Sequence, residues 1–334
     1  MDFSDVTSRV IGVATQMAKA TLESPLLLHV SPPEPPYVGY EPVPASTPIA
    51  VEVDPEADRR QLELWRERIT GLNSNVGTLQ MQGPPAEQIL VAAEERRARM
   101  IVMGTHRHAA IHDVLLGNVT HGVLHHARCP VTVVPAARTH LNPATDDRLI
   151  PGTTQIHSIL ALVDFSDLTK SVMKQAELLA LAFDSRVTLL HVIPPDPLVV
   201  DFAPPPGTET EAEACRAGLD LLRKQLESAG LEADILEDTG PVLEVVRHQV
   251  DKLAPDLIIM GSHGHGALYN LFVGSVTAGL LHHASCPVVV VPRATYEDPG
   301  VTLAPSLQTS PWADSERPAL FFVRFHSYCT HVAG

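Results

Sequence analysis

The sequence predicts an α/β protein of two doubly wound domains, on three observations. The chain repeats itself at a nearly constant offset. Short all-apolar, β-type runs alternate with longer stretches of helical periodicity, and proline- or glycine-bearing turn signals fall between them. A length of 334 residues suits two ordinary domains, for which roughly 100–200 residues each is usual.

Asp2 to Val30 aligns without gaps to Asp164 to Val192 at an offset of 162, with 13 identities in 29 positions. Met103 to Pro135 aligns to Met260 to Pro292 at an offset of 157, with 19 identities in 33, a density that implies a duplicated domain. The change of offset places a five-residue length difference between the two blocks. There, the proline-rich stretches 31–48 and 194–206 read as loops that absorb it cheaply. The expected layout is domain 1 over 1–138, a polar linker over 139–155, domain 2 over 156–294 and a tail over 295–334.

Within the second copy, 159–163, 187–192, 257–260 and 288–291 are short apolar runs of the kind expected from parallel strands buried on both faces. Between them, 167–182, 211–229 and 241–253 carry apolar residues at three- and four-residue spacing, as amphipathic helices do. Gly83-Pro84 and Gly240-Pro241 fit helix starts, with proline near the first helical position. Right-handed crossovers then leave few topologies open.

Composition narrows the function. With 39 acidic and 24 basic residues the net charge is -15, which repels a phosphate backbone and excludes general nucleic-acid binding. Any phosphate site must be local and built from backbone amides. The four cysteines, Cys129, Cys215, Cys286 and Cys329, show no CxxC pairing and suit a reducing compartment. No run approaches 18 apolar residues, and the acidic start lacks the basic-then-apolar pattern of an export signal, so a cytoplasmic protein without membrane contact is expected.

The chemistry gathers after residue 260. Gly261-Ser262-His263-Gly264 follows an apolar run, and nine residues later Gly274-Ser275-Val276-Thr277 opens a helical stretch. Glycines permit positive φ and close backbone approach, while amides at a helix amino end point at an anion. The loop lies at the carboxyl end of a strand, where open α/β sheets bind ligands.

This spacing, followed by Cys286-Pro287 and a run of valines, closely resembles the ATP-binding class of universal stress proteins; Asp164-Phe165-Ser166 and His191-Val192 extend the resemblance over nearly all of 156–294. The resemblance implies a Rossmann-like sheet of five mostly parallel strands in the order 3-2-1-4-5 in each domain. It also implies ATP as ligand, with magnesium or manganese on the phosphates. Asp164 would meet the adenosine moiety, the backbone of Val192 the adenine edge, and Met260, Gly261, His263, Gly264, His265, Gly274, Ser275, Val276 and Thr277 would surround the ribose and phosphates. Asp164 or Ser166 can equally cap the following helix. The resemblance further implies pairing through 131–134 and 288–291, satisfied between the two domains of one chain or in a homodimer.

The first copy departs from the pattern where Arg107 replaces the second glycine and Asn118 the serine, so weak or absent nucleotide binding is expected there. No Walker lysine and no nucleophile–base pair stands out, which favours a regulatory binding module over a slow ATPase or a ligand-free scaffold. The clusters His263-x-His265 and His282-His283-x-x-Cys286 lack a nearby carboxylate, so no metal site is expected from them.

One element is unaccounted for. Asp2 is the equivalent of Asp164, so nothing in the first copy corresponds to the strand 159–163, which is central in the family sheet. The favoured source is a strand encoded upstream of Met1. The alternatives are the terminal run 320–323 and a rearranged sheet. The tail 295–334 is otherwise expected to be disordered, being rich at first in Pro, Ser, Asp and Glu.

Overall fold

The computed structural model describes residues 5–31, 55–70, 76–105, 117–135, 156–195, 208–263, 274–293 and 318–325. The linker 139–155 and the first part of the tail therefore lie outside the described residues. Domain 1 comprises α1 (Asp5–Thr21), β1 (Ser24–Ser31), α2 (Pro55–Thr70), β2 (Gly77–Gln82), α3 (Pro85–Glu95), β3 (Met100–Gly104), α4 (Asn118–His126) and β4 (Val131–Val134). Domain 2 runs β5 (Ser158–Leu162), α5 (Thr169–Phe183), β6 (Arg186–Ile193), α6 (Thr208–Ser228), β7 (Ala233–Thr239), α7 (Val242–Leu253), β8 (Leu257–Gly261), α8 (Ser275–His283) and β9 (Val288–Val291). A last strand, β10, spans Pro318–Phe325.

Local chemistry sets the boundaries. Pro84 and Pro85 start α3, where a missing N–H costs nothing. Asp184 and Ala254 end α5 and α7 in the left-handed conformation at φ 56° and 44°. The inner strands β3, β4, β8 and β9 are buried almost throughout, which is why they are unbroken apolar runs rather than alternating ones.

The five strands of each domain join in one ten-stranded sheet in the order β2-β1-β10-β3-β4-β9-β8-β5-β6-β7. All neighbours are parallel except β4 and β9, which pair antiparallel with Thr132 opposite Val289 and join the domains. Helices cover both faces. Residues of α1, α2, α5 and α6 share one core with the sheet, and those of α3, α4, α7 and α8 share the other, so each core runs through both domains.

The central position of domain 1 is where the sequence reading needs correcting. No upstream strand is required to fill it, and the tail is not disordered throughout: β10 lies between β1 and β3, parallel to both. Leu320 pairs with Pro25 and Met100, just as Ile159 of β5 pairs with Val187 and Leu257, the residues that the repeat aligns with those two. Domain 1 is thus a permuted copy of domain 2, in which the strand that precedes the first helix comes last.

Candidate nucleotide-binding site

The sequence-selected residues of domain 2 converge on the carboxyl edge of the sheet, around the ends of β5, β6 and β8. Asp164 stands just beyond β5. Its Oδ1 accepts the Ser166 N–H at 3.0 Å and the Ser166 hydroxyl at 2.7 Å, with the Thr169 hydroxyl at 3.5 Å. Ser166 Oγ in turn accepts the Leu168 N–H at 3.3 Å. The carboxylate therefore organises the turn into α5, and these bonds all fall on Oδ1. Phe165 between them adopts φ 57°, a left-handed conformation that costs a non-glycine residue about 1–2 kcal/mol. Its ring packs edge-on to His191 at 5.0 Å, and His191 Nδ1 lies 2.7 Å from the Val163 carbonyl.

Val192 sits on β6 beyond the reach of β5. The Val163 N–H donates to the Leu190 carbonyl at 2.9 Å, closing the ladder between the two strands. Alternate residues of a strand present their backbone groups to the same side, so the N–H and C=O of Val192 face the space left where β5 turns away.

The glycine loop is clamped at both ends. The Ser262 N–H donates to the Val291 carbonyl at 2.9 Å, and the Gly274 N–H donates to the Ser262 carbonyl at 3.1 Å. The Thr277 hydroxyl donates to the Gly261 carbonyl at 3.3 Å. These bonds set the amino end of α8 against the end of β8. No side chain caps α8 and its first turn holds no acidic residue, so the amides of Ser275, Val276 and Thr277 are available to an anion. A Cβ on Gly261 would lie 3.0 Å from Leu168 Cδ1 and 3.1 Å from the His263 carbonyl oxygen, which explains the glycine. Met260 is buried in the α7/α8 core beneath the loop, and half-buried His263 places Nδ1 2.9 Å from Ser262 Oγ. Gly264 and His265 lie outside the described residues. At the rim, Arg293 pairs with Asp167 at 3.1 Å.

Ser262 and Thr277 turn out to hold the loop together, and the sequence reading passed over Ser262 although it lies within the quoted Gly-Ser-His-Gly run. Its role depends on a carbonyl, which leaves no trace in residue type. Among the described residues no group of three or more His, Cys, Asp and Glu could hold a metal ion. Cys286 is buried, and burial, reinforced by the nearby Asp256 charge, pushes its thiol up to about 12.

Domain 1 keeps only part of this geometry. Thr105 repeats the bond of Ser262, its N–H donating to Val134 at 3.0 Å. A Cβ at Gly117 would meet nothing within 4 Å, whereas one at Gly274 would lie 3.5 Å from the Ser262 carbonyl oxygen, so the amino end of α4 is not set against Thr105 as that of α8 is set against Ser262. Arg107 lies outside the described residues. Moreover, β10 continues to Phe325, which pairs with Val30, the counterpart of Val192. The backbone edge left open in domain 2 is occupied here by a strand.

The Universal stress protein family model matches residues 1–135 and 155–292. A universal stress protein of Mycobacterium bovis is 31% identical over 205 residues, covering 58% of this chain and 61% of that protein. A universal stress protein A-like protein of Arabidopsis thaliana is 30% identical over 125 residues, 35% of this chain and 71% of that one. The crystal structure of a universal stress protein from Archaeoglobus fulgidus superposes with a TM-score of 0.61 at 18% identity, covering 88% of this chain and 94% of that chain. No helix among the described residues is long and apolar enough to cross a membrane. A fold of this kind, matched twice along one sequence by the same family model, makes the chain a tandem-domain member of the universal stress protein family.

Proposed function

We propose that the chain binds one ATP, at the carboxyl edge of domain 2, and acts as a regulatory nucleotide-binding module. The observation that carries this reading is the double clamp, Ser262 to Gly274 and Gly261 to Thr277, which holds an uncapped helix amino end against the end of β8. Phosphate oxygens suit the amides of Ser275, Val276 and Thr277 and those of the Gly261–His263 turn. The paired donor and acceptor of Val192 match the N1 and N6 edge of adenine, and Asp164 Oδ2 suits a ribose hydroxyl. Magnesium or manganese would bridge the phosphates and strengthen binding. Free thiols at Cys129, Cys215 and Cys286 fit a cytoplasmic setting.

Titration calorimetry with magnesium-ATP tests the stoichiometry: one site per chain is expected, and two equal sites or none would overturn the reading. Gly264→Arg, which copies domain 1, should abolish binding with the fold unchanged by circular dichroism. Ser262 Oγ and His263 Nδ1, 2.9 Å apart, are sequence neighbours in one turn rather than groups converging from separate elements, so hydrolysis should run far below the enzyme median of about 10 per second. A turnover near that median would move the chain into the enzyme class.

A further inference from the structure

We propose that the slot between β1 and β3 of domain 1 is a strand-binding site whose ligand is an extended apolar segment entering parallel to both neighbours, and that β10 occupies it as a separable ligand of the same chain. The grounds are topological. The other neighbouring pairs within domain 1, β1 with β2 and β3 with β4, are joined through α2 and α4, but β3 ends at Gly104 and β10 begins at Pro318, with the whole of domain 2 between. In domain 2 the equivalent strand β5 leads into α5 through the Asp164–Leu168 turn; in domain 1 the equivalent helix α1 precedes all strands and β10 follows them all.

The slot is nonetheless specific. It is lined on both sides by the backbone of parallel strands, and β10 holds register with both: Leu26, Leu27 and Leu28 opposite Phe321, Phe322 and Val323 on one side, Ile101, Val102 and Met103 opposite the same three on the other. Helix α1 runs against β10 from the face of one core and α3 from the face of the other. An occupant must therefore be extended, free of interior proline, and apolar on both faces, since two ladders and two helix layers surround it. An empty slot would strand the backbone donors and acceptors of β1 and β3 in the middle of a covered sheet, without water or partner strand to satisfy them.

Because β9 is antiparallel to β4, its carboxyl end lies on the edge of the sheet where β10 begins, three strand spacings away, or about 14 Å. Residues 294–317 could reach on the order of 80 Å fully extended. That length suffices to bring β10 to the slot, where the ladders with β1 and β3 set its register. This inference is independent of ATP.

The test is strand exchange in the full-length chain. A protease site replacing residues 302–308 allows the connection to be cut after folding, and hydrogen exchange of the β1 and β3 amides reports the state of the slot. After cutting, the tail fragment should stay bound through gel filtration at high concentration. On dilution it should leave, with protection lost from β1 and β3 and retained in β5 and β8. A synthetic peptide of residues 316–328 should restore protection; the same peptide carrying Phe322→Pro should not. Protection of β1 and β3 that survives loss of the fragment, or that the unaltered peptide fails to restore, would overturn the proposal. Because the readout lies in domain 1, loss of ATP binding in domain 2 would bear only on the proposed function.

Discussion

Asp164 carries two roles that one substitution can separate. Asparagine keeps Oδ1 as an acceptor for the Ser166 N–H and hydroxyl but removes the charge, whereas alanine removes the acceptor as well. Asp164→Ala should lower the stability of domain 2 by about 1 kcal/mol, the usual net worth of such a turn hydrogen bond; Asp164→Asn should leave stability nearly unchanged while weakening binding at the proposed ATP site. Equal loss of stability in both variants, measured by urea denaturation, would show that the charge holds the turn. The cysteines allow a second prediction. Burial pushes the thiols of Cys129 and Cys286 up to about 12, so at pH 8 their thiolate fraction is on the order of one in ten thousand. Alkylation of the native protein, mapped by mass spectrometry, should label the half-buried Cys215 well before either. Of the cluster His282-His283-x-x-Cys286, the cysteine is thus a buried core residue, while His282 is exposed.

At the level of elements, Gly218 of α6 sets two effects against each other. Alanine there gains about 0.5–1 kcal/mol of helix propensity. Its Cβ, however, would sit 2.7 Å from Cε1 and 3.0 Å from Cζ of Phe165, whose ring is already packed on His191 and whose backbone is left-handed. Overpacking of this kind costs about 1–3 kcal/mol, so Gly218→Ala should lower the melting temperature of domain 2 and, by shifting the turn that holds Asp164, weaken ATP binding. A raised melting temperature would show that the ring yields. The inner strands and the helices were legible in the sequence because burial on both faces demands apolar runs and burial on one demands helical periodicity. The edge strands β2 and β7 were not. Both are half-exposed along their length, and β7 carries Asp234, Glu237 and Asp238, so neither reads as an apolar run. Those charges suit an edge, where they discourage pairing with another sheet. For β10 the apolar run was visible, but nothing local could assign it to a slot formed by residues two hundred positions away. Of the candidate site, the glycines and Asp164 could be picked out by residue type, while the carbonyl of Ser262 and the open backbone edge of Val192 are properties of the fold.

On the scale of the whole molecule, the antiparallel seam between β4 and β9 turns the two carboxyl edges to opposite sides of one sheet, so the intact site and the altered one face away from each other. At the centre of that seam Thr132 is fully buried opposite Val289, and its hydroxyl donates only to thioether sulfurs, Met100 Sδ at 3.1 Å and Met17 Sδ at 3.7 Å. Sulfur is a weak acceptor, while burying a hydroxyl costs about 1–3 kcal/mol on scales drawn from protein mutations. Valine fills nearly the same volume, is β-branched like threonine and matches the valines on either side. Thr132→Val should therefore leave the protein as stable as before or raise its stability by up to about 1 kcal/mol, read from the midpoint of urea denaturation followed by far-ultraviolet circular dichroism. Thr132→Asp should do the reverse, because it puts a carboxylate at a fully buried position against the Met17 and Met100 side chains. It should open the seam and destabilise domain 1 by several kcal/mol, as an unpaired buried charge does, while the proposed ATP site of domain 2 is left unchanged. A drop of more than 1 kcal/mol in the valine variant would mean that the hydroxyl–sulfur contacts hold the two domains in register, and that the seam is polar in its energetics despite its apolar composition.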